Sequence, residues 1–158
     1  MRIVKEILAD VRKEGDNAVR KYTRLFDKLD LDVFLVTKAE IEEAYKQTSP
    51  KTLEAIKAAA QNITSFARRQ KEQFQDFEIE KEGVRLGQMI KPLERVGCYI
   101  PGGRYPLAST ALMSVIPAKV AGVGEIIVCS PKSHPITIVA ADIAGADKIY
   151  KIGGVQAI

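Results

Sequence analysis

The carboxyl-terminal part of this chain alternates short apolar runs with helical segments, and this alternation constrains the fold more than any other feature. Apolar runs at 96–100, 125–129 and 148–152 are separated by helical segments at 109–120 and 136–144. A β-α-β-α-β order predicts parallel strands joined by crossover helices in a doubly wound sheet. Pro117 lies within the first helical segment and is expected to kink it.

Two glycine-rich turns follow the first and the last of these strands. Pro101-Gly102-Gly103 follows one, and Gly153-Gly154 follows the other. Ligands of open α/β sheets bind beyond the carboxyl ends of the strands, and glycine allows a backbone to approach a ligand closely. The turns predict a shared crevice for a phosphate-bearing or nucleotide ligand, although tight turns without a ligand fit the pattern equally well. The G-x-G-x-x-G fingerprint is absent. Tyr99, at the mouth of the first strand, either stacks on a flat ring or belongs to the core.

The composition changes near Pro92. Residues 1–92 hold 18 basic and 16 acidic side chains, whereas residues 93–158 hold 6 and 4, with eight of the 11 glycines at or beyond Gly97. Charge-rich segments are typical of solvated helices, and glycine-punctuated apolar segments are typical of a buried parallel sheet. We therefore expect a helical region with a β-hairpin over 1–92 and a partial Rossmann-like region over 93–158.

Local patterns predict the elements of the first region. An apolar stripe of helical spacing at Val4, Ile7, Leu8, Val11, Val19, Tyr22, Leu25 and Phe26 is interrupted at Gly15, where Asp16 is expected to cap a new helix. A capping box at 37–40 opens a helix to about residue 46, and Ser49-Pro50 starts the longest helix. Residues 77–81 and 84–90, on either side of Glu82-Gly83, are expected to form a β-hairpin.

Several classes of protein are disfavoured by composition. The net charge of +4 comes from interleaved basic and acidic residues, which argues against nucleic-acid binding. No apolar stretch approaches the roughly 20 residues of a membrane span, and the start of the sequence does not resemble a signal peptide. Cys98 and Cys129 lie in apolar runs and are expected to be buried and reduced, which favours a cytoplasmic protein. His134, the one histidine, is expected in a surface loop, because a metal site needs several convergent ligands.

Long strings of the sequence resemble the amino-terminal part of histidinol dehydrogenases. They begin with residues 12–16, 22–27, 58–63, 83–88 and 92–97. They are strongest in Tyr-Ile-Pro-Gly-Gly at 99–103, Ser-Thr-Ala-Leu-Met at 109–113, residues 116–122 and Gly-Gly-Val-Gln-Ala-Ile at 153–158. The resemblance runs along nearly the whole chain.

The resemblance implies an NAD-dependent, zinc-containing enzyme that oxidises L-histidinol through histidinal to L-histidine, the last step of histidine biosynthesis. It implies a homodimer in which Tyr99 and Gln156 contact NAD, beside the turn of Pro101, Gly102 and Gly103. The family's Glu-His acid–base pair and its zinc ligands have no counterpart in this sequence, so we expect the chain alone to be inactive. The alternative is a non-catalytic remnant that binds nucleotide weakly or only self-associates. A three-stranded sheet with a bare final edge predicts association with a second copy or with a carboxyl-terminal portion.

Overall fold

The computed structural model describes residues 2–102 and 105–158, and over these ranges it contains six α-helices and five strands. In chain order they are α1 (Arg2–Glu14), α2 (Asp16–Tyr22), α3 (Lys38–Gln47), α4 (Pro50–Lys71), β1 (Phe77–Lys81), β2 (Val84–Gln88), β3 (Arg95–Tyr99), α5 (Ala108–Ala121), β4 (Glu125–Cys129), α6 (Pro135–Ala144) and β5 (Lys148–Tyr150). A π-helical turn, Thr23–Asp27, follows α2, and a 3-10 turn, Val155–Ala157, follows β5. The predicted mixed α/β fold is confirmed.

The central sheet is parallel, with strand order β3-β4-β5. Its core face packs against α5 and α6, and α3 and α4 add a second helical layer. Alternate strand residues fill this core, including Ile126 and Val128 of β4, both fully buried. Helix α5 runs through Pro117 to Ala121, beyond the predicted end at 120. Strands β3 and β5 end one and two residues earlier than expected.

The opposite face of the sheet carries polar and half-buried residues. Arg95 and Lys148 both pair with Glu125, at 2.7 and 2.8 Å, and so link the three strands at their amino-terminal ends. Gly97 is exposed on this face, and a Cβ added there would meet no atom within 4 Å. Tyr99 lies two residues further along the same face of the strand. Among the described residues, this face is therefore the more open side of the sheet.

The expectation of a bare edge at the last strand is wrong. Leu35 lies opposite Tyr150 in an antiparallel bridge. The Val36 amide donates to the Ile149 carbonyl at 2.8 Å, and the Lys151 amide donates to the Phe34 carbonyl at 2.8 Å. Residues 34–36 therefore pair with the backbone of β5 on the side away from β4, the side that we expected to be bare.

Helix α3 is fixed beside this edge by its own cap. The Thr37 side chain accepts from the Glu40 amide while the Glu40 carboxylate accepts from the Thr37 amide, which is the predicted capping box. The second Glu40 oxygen accepts a 2.6 Å bond from Lys151, just after β5. On the next turns, Tyr45 donates to Asp142 of α6 at 2.7 Å. These polar contacts join α3 to both the sheet and its helical layer.

The predicted apolar stripe of the amino-terminal helices is only partly buried. Ile7, Val19 and Tyr22 are buried, whereas Val4, Leu8, Leu25 and Phe26 are exposed. Asp16 is the first helical residue of α2 rather than its cap; the cap position is Gly15, which has a φ of 57° and no side chain to bond the helix. Both helices pack against the 155–157 turn beyond β5. The residues that cover the buried part of this stripe therefore include the 155–157 turn, more than 130 residues later in the sequence.

Strands β1 and β2 form the predicted hairpin, although β2 ends at Gln88 and not at 90. Glu82 and Gly83 both have positive φ, 55° and 78°, as a two-residue type I′ turn requires. All ten strand residues are exposed, and Phe77, Ile79, Val84 and Leu86 share one face. None of the described helices is long and apolar enough to cross a membrane.

Candidate functional site

The two glycine-rich turns meet at the carboxyl edge of the parallel sheet. The Gly154 amide donates to the Tyr99 hydroxyl at 3.1 Å, across 55 residues of sequence. Tyr99 is half-buried, so its ring is neither enclosed in the core nor free in solvent. Because this hydroxyl bonds the second turn, the end of β3 and the turn after β5 form one continuous surface.

Pro131, in the loop after β4, locks the two turns together. A Cβ at Gly102 would lie 2.2 Å from the Pro131 carbonyl oxygen, and a Cβ at Gly153 would lie 2.5 Å from the Pro131 Cβ. Side chains essentially never approach other atoms so closely. Gly102 and Gly153 are therefore required by the packing of the three strand ends, independently of any ligand. Sequence reasoning missed Pro131, since a proline in a loop carries no signal of what it touches.

Gln156 contributes unpaired hydrogen-bonding groups to the same edge. Its side chain is only 6% exposed, and neither amide atom has a hydrogen-bond partner among the described residues. Gly154 has a φ of 66°, and a Cβ there would lie 2.6 Å from the Gln156 Oε1. A buried amide without partners costs about 1–3 kcal/mol. The donor group and the acceptor of this amide are therefore both unsatisfied within the described part of the chain.

A cavity of about 200 Å³ lies beside the first of these turns, and among the described residues neither Tyr99 nor Gln156 lines it. Its lining includes Gly102, together with Lys132 and His134 at the start of α6. His134 is exposed as expected, and its Nδ1 accepts the Ile136 amide at 3.3 Å, which caps α6. The volume is below the roughly 300–1,000 Å³ of a typical small-molecule pocket, so it suits part of a dinucleotide rather than the whole.

The predicted site residues are brought together in part. Tyr99, Pro101, Gly102 and Gln156 all lie at this edge of the sheet, whereas Gly103 lies outside the described residues. The larger groove, about 810 Å³, is lined by the carboxyl-terminal ends of α4, α5 and α6. That groove lies at the amino-terminal edge of the strands, where no predicted site residue is found.

The residues present fit a nucleotide better than they fit zinc. The unpaired Gln156 amide and the half-exposed Tyr99 ring can bond and stack on a planar heterocycle. Across residues 2–102 and 105–158, no three His, Cys, Asp or Glu side chains gather where they could hold a metal ion. Cys98 and Cys129 are free and buried as expected, and burial raises the pKa of both thiols, which keeps them protonated.

Comparisons with known proteins agree on one family. A family model described as histidinol dehydrogenase matches residues 1–158. Histidinol dehydrogenases of Methanococcus maripaludis and Methanocaldococcus jannaschii are 50% and 49% identical over 98% of this chain. A crystal structure of histidinol dehydrogenase from Elizabethkingia anophelis superposes with a TM-score of 0.89 at 38% identity, over 99% of this chain. The chain spans 37–38% of the length of these relatives.

Proposed function

This chain belongs to the histidinol dehydrogenase family, and we propose that it forms the amino-terminal part of such an enzyme and holds NAD for the oxidation of L-histidinol to L-histidine. The observation that carries the proposal is the bond from the Gly154 amide to the Tyr99 hydroxyl, with the unpaired Gln156 amide directly beside Gly154. The two turns form one surface at the edge where α/β sheets bind nucleotides.

Each residue of the site has a distinct part in holding the dinucleotide. The Tyr99 ring offers an aromatic face, and its hydroxyl is already fixed by Gly154, so ordering it on binding costs little entropy. Gln156 offers an amide that gains its first partners when the ligand arrives. Pro101 and Gly102 would lie along the phosphate backbone of the dinucleotide. When bound, NAD would accept one hydride, so two NAD molecules in succession would be needed to take the alcohol through the aldehyde to the acid, and the protein would set the position of each relative to the substrate.

The acid–base and zinc-binding groups are proposed to come from residues outside this sequence. His134 is the one histidine of the chain, and its Nδ1 is engaged in capping α6. Removing a proton from an alcohol needs a base within hydrogen-bond reach of it. We therefore expect NAD binding without turnover from the 158-residue chain, and we expect a carboxyl-terminal portion, rather than a second copy, to complete the enzyme.

Isothermal titration of the chain with NAD tests the proposal. Tyr99→Phe should weaken NAD binding about 2- to 12-fold, because it removes the one hydrogen bond, of about 0.5–1.5 kcal/mol, that fixes the ring to Gly154. Gln156→Ala should weaken NAD binding about 5- to 150-fold, because it removes both hydrogen-bonding groups of the amide. Tyr45→Phe is a matched control, because it removes the same atom and one hydrogen bond, to Asp142, far from the strand ends. Gln61→Ala, on the exposed surface of α4, is the control for the amide.

The outcomes separate the proposal from its alternative. Loss of binding confined to the Tyr99 and Gln156 variants supports a nucleotide site. An absence of NAD binding to the wild-type chain, together with association that grows with concentration, favours a module that only self-associates. The exposed apolar face of the β1–β2 hairpin is the observation that favours that second function. NADH formation from L-histidinol by the purified chain alone would contradict the assignment of the base to residues elsewhere.

A further inference from the structure

The π-helical turn Thr23–Asp27 carries buried polar atoms that the site described above does not use. Thr23 is 1% exposed, and its Oγ1 has no hydrogen-bond partner among the described residues. Asp27 Oδ2 is buried and likewise has no partner there. Residues four apart in a helical turn lie on neighbouring positions of one face. Short π-helical turns occur frequently at functional sites.

One packing contact and one electrostatic interaction place this turn near the proposed nucleotide site. Helix α2 runs directly into it and packs against the 155–157 turn, where Val155 contacts the cluster that contains Tyr22. On its other side, Lys132 is close enough for its charge to act on the Asp27 carboxyl. Lys132 follows Pro131, the residue that locks the strand ends together. The π-helical turn therefore follows a helix that packs on the 155–157 turn, and its Asp27 lies within reach of the charge of Lys132.

The chemistry of the two residues calls for a ligand that donates hydrogen bonds. Burial raises the pKa of Asp27, and the Lys132 charge only partly opposes it. A carboxylate oxygen accepts hydrogen bonds and donates none, so its missing partner is a donor such as a hydroxyl. A hydroxyl such as that of Thr23 can both donate and accept. At the carboxyl edge of a nucleotide-binding sheet, the neutral donors that a dinucleotide offers in pairs are its ribose hydroxyls.

We propose that Asp27, with Thr23 beside it, accepts hydrogen bonds from the 2′ and 3′ hydroxyls of the adenosine ribose of the bound dinucleotide. Asp27 thereby determines that the site takes NAD rather than NADP. The inference rests on the proposed function. A phosphate on the 2′ oxygen would bring negative charge against the carboxylate and remove one of the donors. Asp27 is a specificity-determining residue in this assignment and takes no part in the chemical step.

The test compares the affinities of NAD and NADP for the wild-type chain and for Asp27→Asn by isothermal titration. A bond to a charged acceptor is worth about 10- to 100-fold in affinity, so Asp27→Asn should weaken NAD binding by that factor. NADP binding should be unchanged or tighter, which narrows the preference for NAD. Thr23→Val should weaken NAD binding less, by about 3- to 10-fold. Asp30→Asn is the matched control, since Asp30 is exposed and pairs with Arg24 on the surface.

The outcomes distinguish this inference from the proposed function. If the wild-type chain binds neither dinucleotide, the proposed function fails and this inference fails with it. If NAD binds and Asp27→Asn leaves the NAD-to-NADP ratio unchanged while circular dichroism shows an intact fold, only the role of Asp27 is overturned. A change in Tm without a change in that ratio would assign Asp27 to structure, with a buried water as its partner.

Discussion

Substituting Gly153 by alanine tests whether Pro131 locks the strand ends together. A Cβ on Gly153 would lie 2.5, 2.6 and 2.9 Å from the Cβ, Cγ and Cδ of Pro131. All three atoms belong to a rigid ring, and Pro131 is itself buried, so the strain cannot be relieved by rotation of a side chain. Overpacking of this kind costs about 1–3 kcal/mol. Gly153 has no positive φ, so the cost is steric and does not come from backbone strain.

Gly97→Ala, in strand β3, provides the matched control. Gly97 also lacks a positive φ, and its added Cβ would meet nothing within 4 Å. Alanine in a strand interior is more favourable than glycine by roughly 0.5–1 kcal/mol, because glycine loses more backbone entropy on folding. Because both variants carry the same chemical change, this entropy gain is common to them and cancels, so Gly153→Ala should be less stable than Gly97→Ala by the steric cost of about 1–3 kcal/mol in the free energy of unfolding.

Urea unfolding, followed by circular dichroism, measures this difference, and thermal unfolding gives about 2–4 °C in Tm for each kcal/mol. Pro131→Gly removes all three clashing atoms, so Gly153→Ala should cost less in the Pro131→Gly background than in the wild-type protein. That coupling is read from a double-mutant cycle. Equal stability of Gly153→Ala and Gly97→Ala, or additive effects in the cycle, would refute the packing argument.

Three further changes have defined outcomes. Glu40→Gln should make the free energy of unfolding less sensitive to acid. The hydrogen bond from Lys151, and next that from the Thr37 amide, hold the pKa of Glu40 below its usual 4.5. The stability that the Glu40 carboxylate contributes is therefore complete above pH 4.5 and is lost as the pH falls through the lowered pKa. Urea unfolding at neutral and acid pH measures this, and equal acid sensitivity in wild type and variant would contradict it. Thr37→Ala should cost about 1 kcal/mol in urea unfolding by removing the cap of α3, and a loss within error of zero would show that the cap is dispensable. Ile79→Thr with Leu86→Thr should leave Tm nearly unchanged and reduce concentration-dependent association in sedimentation, whereas a large fall in Tm would mean that this hairpin face is packed in the folded chain.

Local patterns in the sequence predicted the elements whose causes are local. The apolar run 125–129 matches β4 residue for residue, and the capping box places the start of α3 at Lys38. The bare edge was wrong because Phe34, Leu35 and Val36 pair with a strand more than 110 residues later. The apolar run 33–36 is short, and it carries no signal of which distant strand it pairs with. The exposed Leu8 and Phe26 show the same limit, since spacing reveals a face and not what covers it.

The candidate site likewise has features that the sequence predicts and features that it does not. That Tyr99 and Gly154 come together follows from the rule that parallel strands present their carboxyl ends at one edge. The close packing of Pro131 against Gly102 and Gly153 could not be predicted, because it depends on atomic distances between three separate loops. Asp27 lies within a string that carries the family resemblance, yet only its buried, unpaired oxygen distinguishes it from the other surface carboxylates of its region.

The pairing of residues 34–36 with β5 also determines the direction in which the sheet can be extended. With that side occupied, any additional parallel strand must join beside β3, whose one strand partner in the described part of the chain is β4. A polypeptide leaving β5 would then have to cross to the far side of β3, reversing the order in which strands are added. Such a reversal opens a gap between the loops of neighbouring strands, and here the gap would form at Tyr99 and Gly102.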